Sequence, residues 1–136
     1  MLLVSAARIL IADDDPFIRD LLRQRLTQMG YQIVLARDGV EAVDRALETR
    51  PSLIVLDTVM PERNGLETLQ HLKQDPQLAP IPVVMLTALR ARGDVLSALR
   101  LGAADYVAKP FQVDHLCRRI RAVFETVLLR SEHVLI

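Results

Sequence analysis

Asp13, Asp14, Asp57, Thr87 and Lys109 each stand at the end of an apolar run, and together they could handle a metal ion and an anion. The runs are Ile9-Leu10-Ile11-Ala12 before the acid pair, Leu53-Ile54-Val55-Leu56 before Asp57, Pro82 to Leu86 before Thr87, and Tyr106-Val107-Ala108 before Lys109. Three carboxylates brought to one place raise each other's pKa values unless positive charge lies among them. A hard divalent cation meets that need. Mg²⁺ takes only a few carboxylates and fills its shell with waters and phosphate oxygens. Lysine adds a compact fixed charge suited to an oxygen-rich anion, and a threonine hydroxyl can donate a hydrogen bond. An acid pair with metal, a lone acid, a hydroxyl and an ammonium together suit phosphoryl transfer to a carboxylate. Singly, these residues say little. A strand-end Asp is most often a helix cap or turn residue, and a Lys before Pro a surface residue.

The elements that must position this set alternate regularly. After the first apolar run, Pro16 to Gly30 carries Ile18, Leu21, Leu22, Leu26 and Met29 at helical spacing, and Gly30 stops it. Tyr31 to Ala36 reads as a second strand, and Val40, Val43 and Leu47 mark a short helix ahead of Pro51. The third strand runs from Leu53 to Asp57, and Leu66, Leu69 and Leu72 suggest a third helix. Pro82 to Thr87 is the fourth strand; Val95, Leu96 and Leu99 mark a fourth helix closed by Gly102. Asp105 to Ala108 is the fifth strand, and Val113, Leu116, Ile120, Val123 and Val127 stripe a last helix. The pattern predicts an α/β, three-layer doubly wound domain: a five-stranded parallel sheet of order 2-1-3-4-5 with five helices, flavodoxin-like. In such sheets ligands bind outside the carboxyl ends of the strands, where the five residues fall.

Composition narrows the function. A chain of 136 residues fits one domain, and with 51% hydrophobic but only 4% aromatic residues its core is built from Leu, Val, Ile and Ala. Seventeen basic residues balance seventeen acidic ones, which argues against direct nucleic-acid binding; Arg118, Arg119 and Arg121 read as the wet face of a helix. Cys117 is the only cysteine, so no internal disulfide framework exists and a reducing, cytoplasmic compartment is expected. The opening "MLLVSAARILIA" has no positive charge before its apolar run and is broken by Arg8, so it reads as a lead-in and a strand, not a signal peptide. No stretch approaches the roughly 20 apolar residues of a membrane span, and no membrane contact is expected. Asp15, directly before Pro16, reads as the N-cap of the first helix and not as a third site acid.

Four stretches, "ILIADDDP", "LIVLDTVMPERNGLE", "IPVVMLTA" and "GAADYVAKPF", in this order, resemble the receiver domains of two-component response regulators, which histidine kinases phosphorylate on aspartate. The resemblance runs from about residue 8 to about residue 128. It implies that Asp57 is the phosphoacceptor, attacking a kinase phosphohistidine or a small donor such as acetyl phosphate. It implies that Asp13 and Asp14 hold Mg²⁺, Asp14 directly and Asp13 largely through water, with further ligands from Asp57 and the backbone carbonyl of Val59. Lys109 would pair with a phosphoryl oxygen, and Pro110 suggests a cis peptide that aims it. Thr87 would turn its hydroxyl to the phosphate, Ala88 would leave room for it, and Tyr106 would rotate inward and alter the surface of the fourth helix, fifth strand and fifth helix. Pro61 and Gly65 read as turn residues. The implied partners are a sensor histidine kinase or a phosphotransfer protein, and a second copy through the surface just named. The chain would be a phosphoacceptor with slow autodephosphorylation and not an enzyme in its own right.

The match is looser in places. Asn64 stands where many relatives carry Asp. Val59 and Leu89, which flank the path of attacking water in the family, are apolar, so slow loss of phosphate is expected. Cys117, Phe124 and Leu128 widen the apolar stripe of the last helix beyond what one sheet face needs, which suggests contact with a partner, a second copy or a downstream segment. Asp105 and Arg119 match positions that pair across dimers of DNA-binding relatives, with His115 in place of a common acid. The stretch from Ile81 to Phe111 equally resembles receivers attached to cyclic-di-GMP synthases. Residues 1–136 read as one receiver domain, with 129–136 a tail or the start of a linker to an effector.

Other classes fit less well. A haloacid dehalogenase-type phosphatase needs a second Asp two residues after its nucleophile, where Val59 stands. A flavodoxin-like cofactor binder needs a Ser/Thr/Gly-rich phosphate loop, where "DDDP" would repel phosphate. The remaining alternative is a receiver-like interaction module that works without phosphorylation.

Overall fold

The computed structural model describes residues 7–60, 64–88 and 92–135. Strands β1 (Arg8–Ala12), β2 (Gln32–Ala36), β3 (Leu53–Asp57), β4 (Val83–Thr87) and β5 (Asp105–Ala108) alternate with helices α1 (Pro16–Gln28), α2 (Gly39–Thr49), α3 (Gly65–Gln74), α4 (Arg92–Arg100) and α5 (Val113–Leu135). All four strand pairings are parallel, in the order β2-β1-β3-β4-β5. That is the predicted topology, with strand ends displaced by at most one residue.

Alternation along each strand divides the core into two layers. Leu10, Ile54, Leu56, Val83 and Met85 face α2, α3 and α4, meeting Ala46, Leu69, Leu72 and Ala98. Ile9, Ile11, Val55, Val84 and Val107 face α1 and α5, meeting Leu22, Leu26, Leu116 and Ile120. Ile9–Ala12 of β1, Leu53–Leu56 of β3 and Val83–Leu86 of β4 are buried on both faces, which is why these runs are apolar without a break. Truncating a fully buried leucine such as Leu56 or Leu72 to alanine costs about 2–5 kcal/mol in sites of this kind.

Local chemistry sets the helix ends. Asp15 caps α1, accepting a 2.9 Å hydrogen bond from the Phe17 N–H, with Pro16 at the first helical position. Gly30, at φ +98°, turns the chain out of α1 in a conformation that other residues rarely adopt. Asn64 caps α3 reciprocally with Glu67: its Oδ1 accepts from the Glu67 N–H at 2.9 Å, and its Nδ2 donates to Glu67 Oε1 at 2.7 Å.

α5 runs as helix to Leu135 and corrects one expectation. Its wide apolar stripe is used within the chain: Cys117 is buried, and the Phe124 ring stacks on Tyr31 at 5.6 Å between centroids. A helix packed against both the sheet and the α1–β2 corner needs the broader stripe. Of the stripe's described residues only Val127 is largely exposed, while the Leu128 side chain lies outside the description. Asp105 and Arg119 pair with each other within the chain, Arg119 Nε lying 2.6 Å from Asp105 Oδ2.

Candidate functional site

The carboxyl ends of β1 and β3 lie side by side because Ala12 pairs with Leu56, and the next residues are Asp13 and Asp57. Asp13 continues the alternation of Ile9 and Ile11, Asp57 that of Leu53 and Val55, and Lys109 that of Val107. The pleat therefore aims all three at the α1–α5 side. Lys109 Nζ lies 3.0 Å from Asp13 Oδ2 and 3.2 Å from Asp57 Oδ2. Asp13 is fully buried and Asp57 nearly so, whereas Asp14 is exposed at the rim. Carboxylate oxygens of Asp13, Asp14 and Asp57 all lie within 4.8 Å of one another.

Backbone groups fix these side chains. Asp13 Oδ1 accepts from the Asp15 N–H at 2.9 Å, and its main-chain carbonyl accepts from Arg19 Nη1 at 2.8 Å. The Lys109 N–H donates to the Thr87 carbonyl at 2.7 Å, extending the β4–β5 ladder, and the Lys109–Pro110 peptide is cis, as the sequence suggested. Asp57 Oδ1 accepts from the Val59 N–H at 3.3 Å. Gly65, the first residue of α3, lies so close behind this corner that a Cβ would come 2.1 Å from the Asp57 carbonyl oxygen and 2.5 Å from Thr58 Cα. The Gly65 N–H donates to the Thr58 carbonyl at 2.9 Å.

Burial, then repulsion by Asp13, raises the Asp57 pKa to about 6 against the pull of Lys109 and the Val59 N–H. Burial lowers the Lys109 pKa, but the hydrogen bond to Asp13 and the charges of Asp57 and Asp13 outweigh it, leaving the ammonium above its ordinary value. Three carboxylates and one ammonium leave two negative charges, and the donor set is all oxygen. That count and chemistry fit a divalent cation of the Mg²⁺ type.

The remaining sequence-derived residues fall on β4, on β5 and in the segments after β3 and β4. Thr87 ends β4 one residue beyond Leu86, the partner of Asp57 in the ladder, and is buried; Ala88 follows it and is exposed. Tyr106, opposite Met85 on β5, is 40% exposed, its ring turned towards solvent. Val59 is 61% exposed beside Asp57. Pro61 and Leu89 lie outside the described residues. The sequence reading missed Arg19 and took Gly65 for a turn residue. Gly65 is needed for close approach and not for turning, and a glycine directly after an Asn cap was the available signal. Arg19 gave one too: a cation in the first turn of a helix runs against the helix dipole.

The model of the response regulator receiver domain matches residues 9–121. The chain belongs to this family. Among relatives of this receiver, the regulator RpaA of Synechocystis, described as a DNA-binding dual master transcriptional regulator, is 42% identical over 85% of the chain and 48% of its own length. The response regulator MprA of a Mycobacterium species is 40% identical over 85% of the chain and 50% of its own length. The receiver thus spans about half the length of these curated relatives. A receiver domain from a signal transduction histidine kinase of Syntrophus aciditrophicus superposes with a TM-score of 0.82 at 38% identity, covering 90% of this chain and 92% of its own. The receiver domain of the Francisella response regulator 1452 gives 0.82 at 30% identity, covering 89% and 98%. Among the described residues no helix is long and apolar enough to cross a membrane.

Proposed function

We propose that this receiver accepts a phosphoryl group on Asp57 from the phosphohistidine of a sensor histidine kinase or a phosphotransfer protein. The observation that carries the reading is Lys109 bridging Asp13 and Asp57 at 3.0 and 3.2 Å inside a cluster completed by Asp14. A carboxylate oxygen of Asp57 attacks phosphorus; the new P–O bond forms as the P–N bond to the imidazole breaks, and the imidazole keeps the electron pair. Lys109, already held by the Thr87 carbonyl through its backbone, turns its ammonium from Asp57 to a phosphoryl oxygen. Asp13, Asp14, Asp57 and the backbone carbonyl of Val59 would hold Mg²⁺, which when bound supplies positive charge to the phosphoryl oxygens.

Thr87 donates its hydroxyl to the phosphoryl group, and Ala88 leaves space beside it. Tyr106 turns inward after Thr87, and the α4–β5–α5 surface changes with it. That surface then controls a partner, dimerisation or an attached effector. The chain is the recipient in this transfer and not a turnover enzyme, apart from slow loss of its own phosphate. It acts in the cytoplasm, away from membranes, and its balanced charge supports an output without direct nucleic-acid contact by this domain. The receiver unit has its core at about residues 8–128, with 129–136 a tail or the start of a linker.

Incubation with Mg²⁺ and acetyl phosphate tests the reading. Intact mass should rise by one phosphoryl group in the wild-type chain and stay unchanged in Asp57→Asn. No adduct from acetyl phosphate or a phosphorylated kinase, together with no Mg²⁺ binding, would leave the phosphorylation-independent interaction module in its place.

A further inference from the structure

Arg19 lies in the first turn of α1, which contains no acidic residue. A cation there faces the positive end of the helix dipole, so another interaction must favour it. A hydrogen bond to the backbone supplies it. Arg19 is half-buried, and its Nη1 donates to the main-chain carbonyl of Asp13 at 2.8 Å. This carbonyl belongs to the peptide that joins Asp13 to Asp14.

The two acids are held very differently. The Asp13 carboxylate is fixed on its own account by the Asp15 N–H and by Lys109. The Asp14 carboxylate is exposed and has no hydrogen bond or ion pair among the described residues, yet it lies within the 4.8 Å cluster. Its aim therefore depends on its backbone. The backbone atom beside it that a side chain clamps is the Asp13 carbonyl.

We infer that Arg19 is a positioning residue for the metal site: it pins the Asp13–Asp14 peptide so that the Asp14 carboxylate stays directed at the cluster. The inference rests on the reading that Mg²⁺ binds there. Two effects of the guanidinium oppose each other. Its charge repels a cation at the site, but the group is partly solvated and that repulsion is screened. Its hydrogen bond orients a ligand, and outer partners of metal ligands typically change affinity about tenfold or more. Orientation wins.

Isothermal titration calorimetry with Mg²⁺ alone separates the two effects. Arg19→Met keeps the side-chain length and removes both charge and donor, and its Mg²⁺ dissociation constant should rise about tenfold. Arg19→Lys restores a long donor and should recover most of that loss. A Met variant that binds Mg²⁺ as tightly as wild type, or more tightly, overturns the role of Arg19, because charge alone predicts that result. Thermal melts in EDTA accompany the titrations. If Arg19→Met lowers the metal-free melting temperature and Arg19→Lys rescues neither property, the residue is merely structural and the inference fails. Absence of Mg²⁺ binding by the wild-type chain overturns the metal-site reading and the inference together, an outcome distinct from the other two.

Discussion

Replacing Asp57 by asparagine should stabilise the metal-free protein while abolishing phosphorylation. The Asp57 pKa stands at about 6 in the folded chain against 3.8 for the free side chain, raised first by burial and then by Asp13. The sign follows from which state binds protons more tightly. Below about pH 4 the carboxyl is protonated in both folded and unfolded chains and exerts no penalty. Between about pH 4 and 6 the unfolded chain ionises first, so folding stability falls as pH rises, and above that window the full penalty persists. A shift of about two units corresponds to about 3 kcal/mol, a figure that already includes the attraction of Lys109. In a domain of this size that is worth about 10 °C in melting temperature.

Differential scanning calorimetry in EDTA provides the assay. Near pH 7.5 Asp57→Asn should melt about 10 °C above wild type, and near pH 4 the two should melt together. Saturating Mg²⁺ should narrow the gap, because it stabilises the wild-type fold by mass action. An asparagine variant that is less stable than wild type, or a gap that does not change with pH, would refute the electrostatic account of the cluster.

Asp14→Ala should abolish Mg²⁺ binding measured by calorimetry, whereas Asp15→Ser should leave it nearly intact, since Asp15 caps α1 and serine caps about equally well. Val59→Asn should shorten the lifetime of the phosphorylated protein, followed by mass spectrometry, by placing a polar group at the exposed position beside Asp57; an unchanged or longer lifetime counts against that reading. Gly65→Ala should destabilise the fold by more than about 3 kcal/mol in urea unfolding, because its Cβ would lie 2.1 Å from the Asp57 carbonyl oxygen and the backbone of β3 must move.

The fold was legible because parallel strands buried on both faces leave an unmistakable trace. The runs Ile9–Ala12, Leu53–Leu56 and Val83–Leu86 have no polar residue for the same reason that they have no solvent-facing side. The charged members of the site were legible by extension, since Asp13 and Asp57 break two of those runs at the strand ends and Lys109 follows the end of β5. Residues that act through the backbone were harder to read. Gly65 matters for an atom it lacks, and Arg19 for a carbonyl that carries no sequence signal. The width of the α5 stripe misled because periodicity shows that a side chain is apolar but not what it meets. Only the three-dimensional neighbourhood shows Phe124 against Tyr31.

The uneven burial of the acids also bears on how chemistry at Asp57 could reach the distant Tyr106. With a pKa of about 6, Asp57 is mostly carboxylate near neutral pH, as the proposed attack on phosphorus requires, and the raised pKa of Lys109 keeps its partner charged. Lys109 divides its ammonium between Asp13 and Asp57 at nearly equal distances. In the proposed transfer the acyl phosphate would add negative charge at Asp57 and unbalance that sharing. Under the proposed transfer the Lys109 ammonium would follow the charge by side-chain rotation, while its backbone N–H stays tied to the Thr87 carbonyl at 2.7 Å. Thr87 and Ala108 pair across the β4–β5 ladder, and Tyr106 lies two residues back along the same strand. Lys109, Thr87 and Tyr106 thus lie on one hydrogen-bonded strand pair, the route by which the proposed transfer at Asp57 would reach the β5 surface.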